Sequence, residues 1–385
     1  MKEKKIRLLF LHDQLVCGGA EQALFDLINL LNPEKFEITV LALYRGGDWY
    51  QKFLDAGIRV INPWSCQKYS PNPFRKLYNK YIGLWITWSL DHNGRNLVPR
   101  CTFQNYDILI SYGVWHLQEA AFAGKTKTLR YIHGDIGTNL HYRENILNNL
   151  ETVKRFDRII CVSKAAEASF RKYTGITENV VSHYNPMDSR RIAELSREQV
   201  AFYTDRPLLC AVGRLHKEKG FARLIKIHSQ LLKEGIFQDL VIVGGGEEQE
   251  NLEKLIDELG VKNTVTLAGY TSNPYPYMKM SRMLVCASYT EGLPVVATEA
   301  LSLGIPVVSS VPSVEESFGG EVCGLITDND DESLKNGLRK MLTDDAFYRR
   351  AKQGAEIRSG AFEGKRMALE IEKELLTLLG ESSDI

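Results

Sequence analysis

Short apolar runs and helix-compatible stretches take turns along nearly the whole chain, and that alternation restricts the fold more than any single residue does. Apolar runs at 6–11, 36–43, 58–61, 107–111, 128–132 and 158–162 are each followed by a loop or a helical stretch. Strands separated by helices form parallel sheets with helices on both faces. The series breaks at 182–188, where Asn185-Pro186 redirects the chain, and 189–206 reads as a polar helix and linker. It restarts at Pro207, with strands at 208–213, 239–243, 264–268, 283–287 and 305–309 and helices over 221–234, 247–259 and 295–303. An amphipathic helix is expected over 362–379. The expected fold is α/β, with two Rossmann-like doubly wound domains facing a central cleft. Residues 1–188 form the first domain, 189–206 a linker and 207–360 the second, while 361–385 return as a helix to the first. Ligands of such sheets bind outside the carboxyl ends of the strands, so the loops that follow strands are the ones to read.

Charge narrows the function. The 385 residues carry 48 Lys and Arg against 48 Asp and Glu, a balance unlike that of a dedicated nucleic-acid binder. The balance is uneven along the chain: residues 1–185 hold 24 basic and 17 acidic side chains. Two units with different partners would give such a split, and so would chance drift of surface charge. Seven widely spaced cysteines without a C-x-x-C pair read as reduced, mostly buried thiols. The basic start runs into a short strand and not into a signal sequence, and no apolar run approaches the ~20 residues of a membrane span. A cytoplasmic protein is expected.

Four loops carry the chemistry. In His12–Glu21, Gly18 and Gly19 precede a helix, where bare backbone and free N–H groups suit an anion; a plain strand-to-helix turn looks the same. In Val212–Gly220, Arg214 and Lys219 stand five apart before a helix and could meet one phosphate, as a fork and a point charge, or be solvated. In Val243–Glu247, Gly244, Gly245 and Gly246 permit close approach of a flat ring or ribose, or merely turn the chain. The fourth, Ser288–Ala300, is the most informative. Pro294 suits a first helical turn, Glu291 falls in the loop and Glu299 about a turn inside the helix. The amides of Leu293 to Val296 would face an anion. The Glu299 carboxylate suits a pair of ribose hydroxyls, although helix-dipole pairing would equally place an acid there. His133, after the strand at 128–132, is a further candidate, as a structural or a sugar-facing imidazole.

This set, in this order, resembles glycosyltransferase family 4, of the GT-B fold. The resemblance rests on Gly18-Gly19-Ala20-Glu21, the G-R-L…K-G run at 213–220, the glycines at 244–246, and Glu291-x7-Glu299 enclosing E-G-L-P, and it covers nearly the whole chain. It implies that Arg214 and Lys219 hold a donor diphosphate and that Glu299 binds the ribose. Glu291 and His133 would lie near the transferred sugar, with Glu291, His133, Arg214 and Lys219 as the catalytic set. Gly292, Leu293, Pro294 and Val295 would supply backbone donors, Gly244, Gly246 and Tyr270 would frame the nucleobase, and Gly18 and Gly19 would close over the diphosphate. One departure stands out: where many relatives carry a glycine-rich turn with a following Glu, this chain reads Val311-Pro312-Ser313-Val314-Glu315-Glu316.

The function so implied is a retaining transferase that moves a hexose or N-acetylhexosamine from a nucleotide diphosphate sugar, a UDP-sugar, to a glycan or lipid-linked acceptor in cell-surface polysaccharide synthesis. Fixed cations and helix N-termini would stabilise the leaving diphosphate, so no metal and no other cofactor is expected. A non-catalytic nucleotide-sugar-binding partner subunit and a sugar nucleotide epimerase of the same fold are the alternatives. Residues 74–103 mix Phe74, Tyr78, Tyr81, Trp85 and Trp88 with Arg75, Lys76, Lys80, Arg95 and Arg100, a composition that fits a peripheral membrane contact or a core helix with a solvated face.

Overall fold

The computed structural model describes residues 4–16, 18–47, 49–63, 81, 82, 85, 88, 94–102, 104–113, 118–123, 126–291 and 293–380. They form two compact units: Met1–Pro186 with Lys365–Ile385, and Met187–Gly364.

In the first unit, β1 (Ile6–His12), β2 (Phe36–Ala42), β3 (Arg59–Ile61), β4 (Ile108–Ser111), β5 (Lys127–Ile132), β6 (Arg158–Cys161) and β7 (Val180–Ser182) make a parallel sheet of order β3-β2-β1-β4-β5-β6-β7. Its strands are largely apolar and buried because both faces are covered. Leu9, Leu11 and Leu109 feed one core, and Leu8, Phe10, Ile108 and Ile110 feed the other, as a two-residue period demands. The helix Gly364–Leu379 joins the second of these cores through Ile371, Leu375 and Leu378, one stripe of its surface. Polar contacts fix it further: Glu374 pairs with Arg158 at 2.7 Å, and Glu372 accepts from the Asn32 amide at 2.6 Å.

The second unit repeats the plan. Here β8 (Leu208–Val212), β9 (Asp239–Val243), β10 (Val265–Gly269), β11 (Met283–Cys286), β12 (Val307–Ser309) and β13 (Gly324–Ile326) run parallel in the order β10-β9-β8-β11-β12-β13. Residues 189–206 are not merely a tether: the helix Ser189–Leu195 buries Ile192 beside Met187 and Leu208 in this unit's core. Between 309 and 362, where the sequence pattern suggested no elements, the chain forms β13 and the helices Val314–Phe318, Asp331–Thr343 and Asp345–Ser359. The last two begin at Asp330 and Asp344, whose carboxylates accept from the amides of Ser333 and Phe347 and so satisfy orphan donors.

In each sheet the strand order reverses beside the first strand, between β1 and β4 and again between β8 and β11. Crossover connections leave those two strands on opposite faces, which opens a crevice at their carboxyl ends.

Candidate active site

At the reversal of the second sheet, the loop after β8 folds over the loop after β9. Leu215 donates its amide to Gly245 O at 3.0 Å and accepts from the Glu248 amide at 3.1 Å. A Cβ on Gly244 would stand 1.9 Å from Gly213 O, and one on Gly246 would stand 2.4 Å from Leu215 O. These two glycines are therefore dictated by the chain's own backbone. With Leu215 buried as the anchor, Arg214 stands exposed. Lys219 follows on a short 3-10 turn, Lys217–Lys219. Tyr270, just after β10, is 53% exposed and lies beside Gly245.

The loop after β11 meets this one. The Lys219 ammonium donates to the Glu291 carboxylate. The Ser288 hydroxyl donates to the same oxygen at 2.8 Å, and the Tyr289 amide donates to Glu218 O at 2.8 Å. A lysine and a carboxylate 72 positions apart are thus held as one polar group, partly open to solvent. Gly292 lies outside the described residues. Leu293 is half-buried, and Pro294 is buried immediately before the helix Val295–Ser302. Proline costs nothing there, because a first-turn N–H has no intrahelical acceptor, and the amides of Val295 and Val296 face outward from the helix start. Glu299, one turn in, is 5% exposed and accepts from the Tyr275 hydroxyl at 2.8 Å.

The first unit presents a different chemistry at its own reversal. His12 ends β1, Tyr112 follows β4 and His133 follows β5, with the Tyr112 and His133 rings 4.5 Å apart edge to face. Burial lowers the His12 imidazole to about 4, and burial together with neighbouring His12 lowers His133 to about 3. Both are neutral at pH 7. A neutral imidazole both donates and accepts, which suits hydroxyl groups and not a phosphate charge. Gly18 begins the loop-to-helix turn before Gly19–Leu30; a Cβ there would meet Glu21 Oε2 at 2.5 Å, and Glu21 Oε1 lies 3.9 Å from His12 Nε2.

Known proteins resemble this chain in sequence and in fold. Residues 17–191 match the family model "Glycosyltransferase Family 4", and 193–358 match "Glycosyl transferases group 1". The chain belongs to glycosyltransferase family 4. It is 28% identical over 378 residues, 93% of its length and 96% of the relative's, to the N-acetylgalactosamine-N,N'-diacetylbacillosaminyl-diphospho-undecaprenol 4-alpha-N-acetylgalactosaminyltransferase of Campylobacter jejuni. It is 25% identical to the lipopolysaccharide core biosynthesis glycosyltransferase LpsD of Rhizobium meliloti, over 88% of each chain. Among solved structures, Alr3699/HepE of Anabaena in complex with UDP superposes with a TM-score of 0.73 at 19% identity, covering 97% of this chain and 100% of that one. The fold is GT-B, and the chain is a transferase.

In this glycosyltransferase the structure gathers Arg214, Lys219, Gly244, Gly246, Tyr270, Glu291, Leu293, Pro294, Val295 and Glu299 around the carboxyl ends of β8 to β11 and the helix that follows. Gly18, Gly19 and His133 belong to the first unit. Sequence reading missed four side chains. His12 could have been found, since it ends a strand just as His133 follows one. Ser288 lies three residues before Glu291. Tyr275 and Arg223 gave no local signal, because their partners are distant in sequence.

The chain contains one Asp-x-Asp triplet, Asp328-Asn329-Asp330, a pattern that can hold a divalent ion, so its sequence alone does not argue for metal independence. In the structure this triplet does other work: Asp330 caps a helix, and the Asn329 side chain donates to Tyr289 O at 2.7 Å. Among the described residues no three His, Cys, Asp or Glu side chains are grouped to hold a metal ion. No described helix is long and apolar enough to cross a membrane. Most of the aromatic and basic stretch 74–103 lies outside the described residues, but Tyr81, Trp85 and Trp88 are 65%, 58% and 57% exposed.

Proposed function

We propose that this glycosyltransferase moves a hexose or N-acetylhexosamine from a UDP-sugar, with retention at the anomeric carbon and without a metal, to a lipid-linked or glycan acceptor of cell-surface polysaccharide synthesis. The observation that carries this reading is the Lys219–Glu291 pair, with exposed Arg214 on the same loop as Lys219, at the reversal of the second sheet. Departure of a nucleoside diphosphate builds negative charge, and fixed cations and helix amides stabilise it without reorganising. Arg214 would grip the diphosphate as a fork and Lys219 as a point charge. Glu291, oriented by Lys219 and Ser288, would contact hydroxyls of the sugar near the reacting carbon. Glu299 with Tyr275 serves the ribose, and Tyr270 offers a ring to the base. The acceptor attacks from the face the diphosphate leaves, on an ion-pair-like intermediate.

The Campylobacter relative acts on a diphospho-undecaprenol-linked sugar, and the Anabaena structure holds UDP; both favour the same classes here. A lipid-linked acceptor requires the enzyme at a membrane surface. Tyr81, Trp85 and Trp88 recur at i, i+4 and i+7 and are exposed, in a stretch rich in Lys and Arg, which fits peripheral attachment to the inner face of the cell membrane. Failure to sediment with anionic vesicles at low salt would remove that part.

The test of the reaction is UDP release from a panel of UDP-sugars with polyprenyl-diphosphate-linked acceptors, in EDTA, with the product anomer read by NMR. Arg214→Ala with Lys219→Ala is expected to abolish turnover. UDP-sugar binding with no transfer across the panel would favour a non-catalytic partner, interconversion of donors without acceptor an epimerase, and an unaffected double variant would sink the phosphate assignment.

A further inference from the structure

Arg223 lies in the third position of the helix Phe221–Lys233 and is 3% exposed. A buried guanidinium is retained only where its donors are satisfied. This one spends them on the loop that carries Glu291. Its Nε donates to Ala287 O at 2.9 Å, one terminal nitrogen donates to Ser288 O at 3.2 Å and to the Ser310 hydroxyl, and the other donates to Asn329 Oδ1 at 2.8 Å. Asn329 in turn donates to Tyr289 O at 2.7 Å, and the Tyr289 ring lies 4.3 Å from the guanidinium carbon. The carbonyls of three consecutive residues past the end of β11 are thus held by Arg223 or by the side chain it holds. Asp331 Oδ1, at 4.0 Å, is the charged neighbour.

The same guanidinium touches the other half of the site. A Cβ on Gly220 would stand 2.0 Å from Ala287 O and 3.0 Å from Arg223 Nε, so the backbone just after Lys219 rests directly on the segment that Arg223 fixes. We infer that Arg223 is a positioning residue for the transfer reaction: it sets the path of 287–291 and thereby the placement of Glu291 against Lys219. The inference rests on the site proposed above and adds a residue to it.

Geometry chooses the test. Lysine keeps the charge but offers one point and no fork, so it cannot hold the four separated oxygens that Arg223 bonds. In Arg223→Lys, amide hydrogen exchange over 287–291 should quicken while the cores of both sheets keep wild-type protection. Turnover per UDP-binding site, counted by calorimetry, should fall about 10- to 100-fold, the scale of a small misplacement at a reacting centre. KM for the donor should move less than kcat. Should that variant fold poorly, Asn329→Ala keeps the Arg223 bonds to Ala287 O and Ser288 O while it frees Tyr289 O and removes the acceptor of one terminal nitrogen; it should quicken exchange at the same residues to a smaller degree with a smaller drop in kcat. Wild-type exchange over 287–291 in both variants, or kcat unchanged per binding site, overturns the inference. The exchange measurement needs no turnover, so a wild-type protein inactive on every UDP-sugar would sink the proposed reaction and still leave Arg223 decided.

Discussion

The two sheets reverse their strand order at equivalent places, yet the side chains set there differ in kind. At β8 and β11 the chain presents exposed Arg214 and the half-buried Lys219–Glu291 ion pair. At β1 and β4 it presents His12 and Tyr112, buried and uncharged at neutral pH, with His133 alongside. One topology thus supports two chemistries, because the crevice is a property of the backbone whereas the ligand class is a property of the loops. A charged crevice suits a diphosphate; a neutral imidazole pair suits hydroxyls.

The contrast breaks most directly when one side chain is changed in each crevice. Lys219→Met removes a fixed charge from the proposed leaving-group side and is expected to lower kcat by about a thousandfold, with weaker UDP binding by calorimetry. His133→Gln keeps a neutral donor and acceptor of similar reach. It should lower kcat by about tenfold, the worth of one neutral hydrogen bond, and leave UDP affinity as it was. Equal losses in the two variants, or loss of UDP affinity in His133→Gln, would erase the division between a charged and a neutral crevice.

Acid sharpens the same contrast through stability. A histidine whose folded pKa is depressed binds protons more readily in the unfolded chain, so stability falls as pH drops below about 6.5. The loss continues until the folded values are reached, about 4 for His12 and about 3 for His133. Each contributes a slope of about 1.4 kcal/mol per pH unit inside that window. The second unit holds one comparable group, His228, lowered by burial to about 4. Urea unfolding followed at pH 7, 6 and 5 by probes in each unit should show the first unit weakening about twice as steeply. The His12→Gln, His133→Gln double variant should flatten that unit's slope, and an unchanged slope would mean these imidazoles are not buried neutral.

Much of this was legible in the chain because apolar runs with period two and helices with glycine or proline at their ends are local signals. The strands at 239–243 and 128–132 and the helix at 295–303 follow from neighbours in sequence. The Lys219–Glu291 contact was half legible: both residues follow strands, and strand ends converge, but the distance between them did not. What could not be read are the bonds made by a side chain to distant backbone. Arg223 looks like any surface arginine of an amphipathic helix, and its burial depends on carbonyls 64 and 65 residues away. Gly244 and Gly246 permit, in the sequence, either close approach of a ligand or a plain turn; that a Cβ there would meet Gly213 O or Leu215 O is visible only in the fold. The short β13 escaped because three residues of strand give no periodicity.

Tyr275 and Glu299 supply the finest division within the charged crevice. Glu299 is buried, and a buried carboxylate needs donors to remain ionised. The Tyr275 hydroxyl provides one at 2.8 Å from a helix that begins after β10. If Glu299 binds ribose hydroxyls, its carboxylate must be turned toward the donor, and the Tyr275 hydroxyl helps to hold it in that orientation. Tyr275→Phe keeps the ring in the core and deletes only the hydroxyl. The carboxylate then loses about 1 kcal/mol of orientation, or roughly fivefold in affinity. That loss should appear in KM for the UDP-sugar and in the Kd for UDP, with kcat at saturating donor unchanged, because the ribose is remote from the reacting carbon. A fall in kcat with KM constant would move Glu299 away from the ribose and toward the transferred sugar, on the same side of the crevice as Glu291.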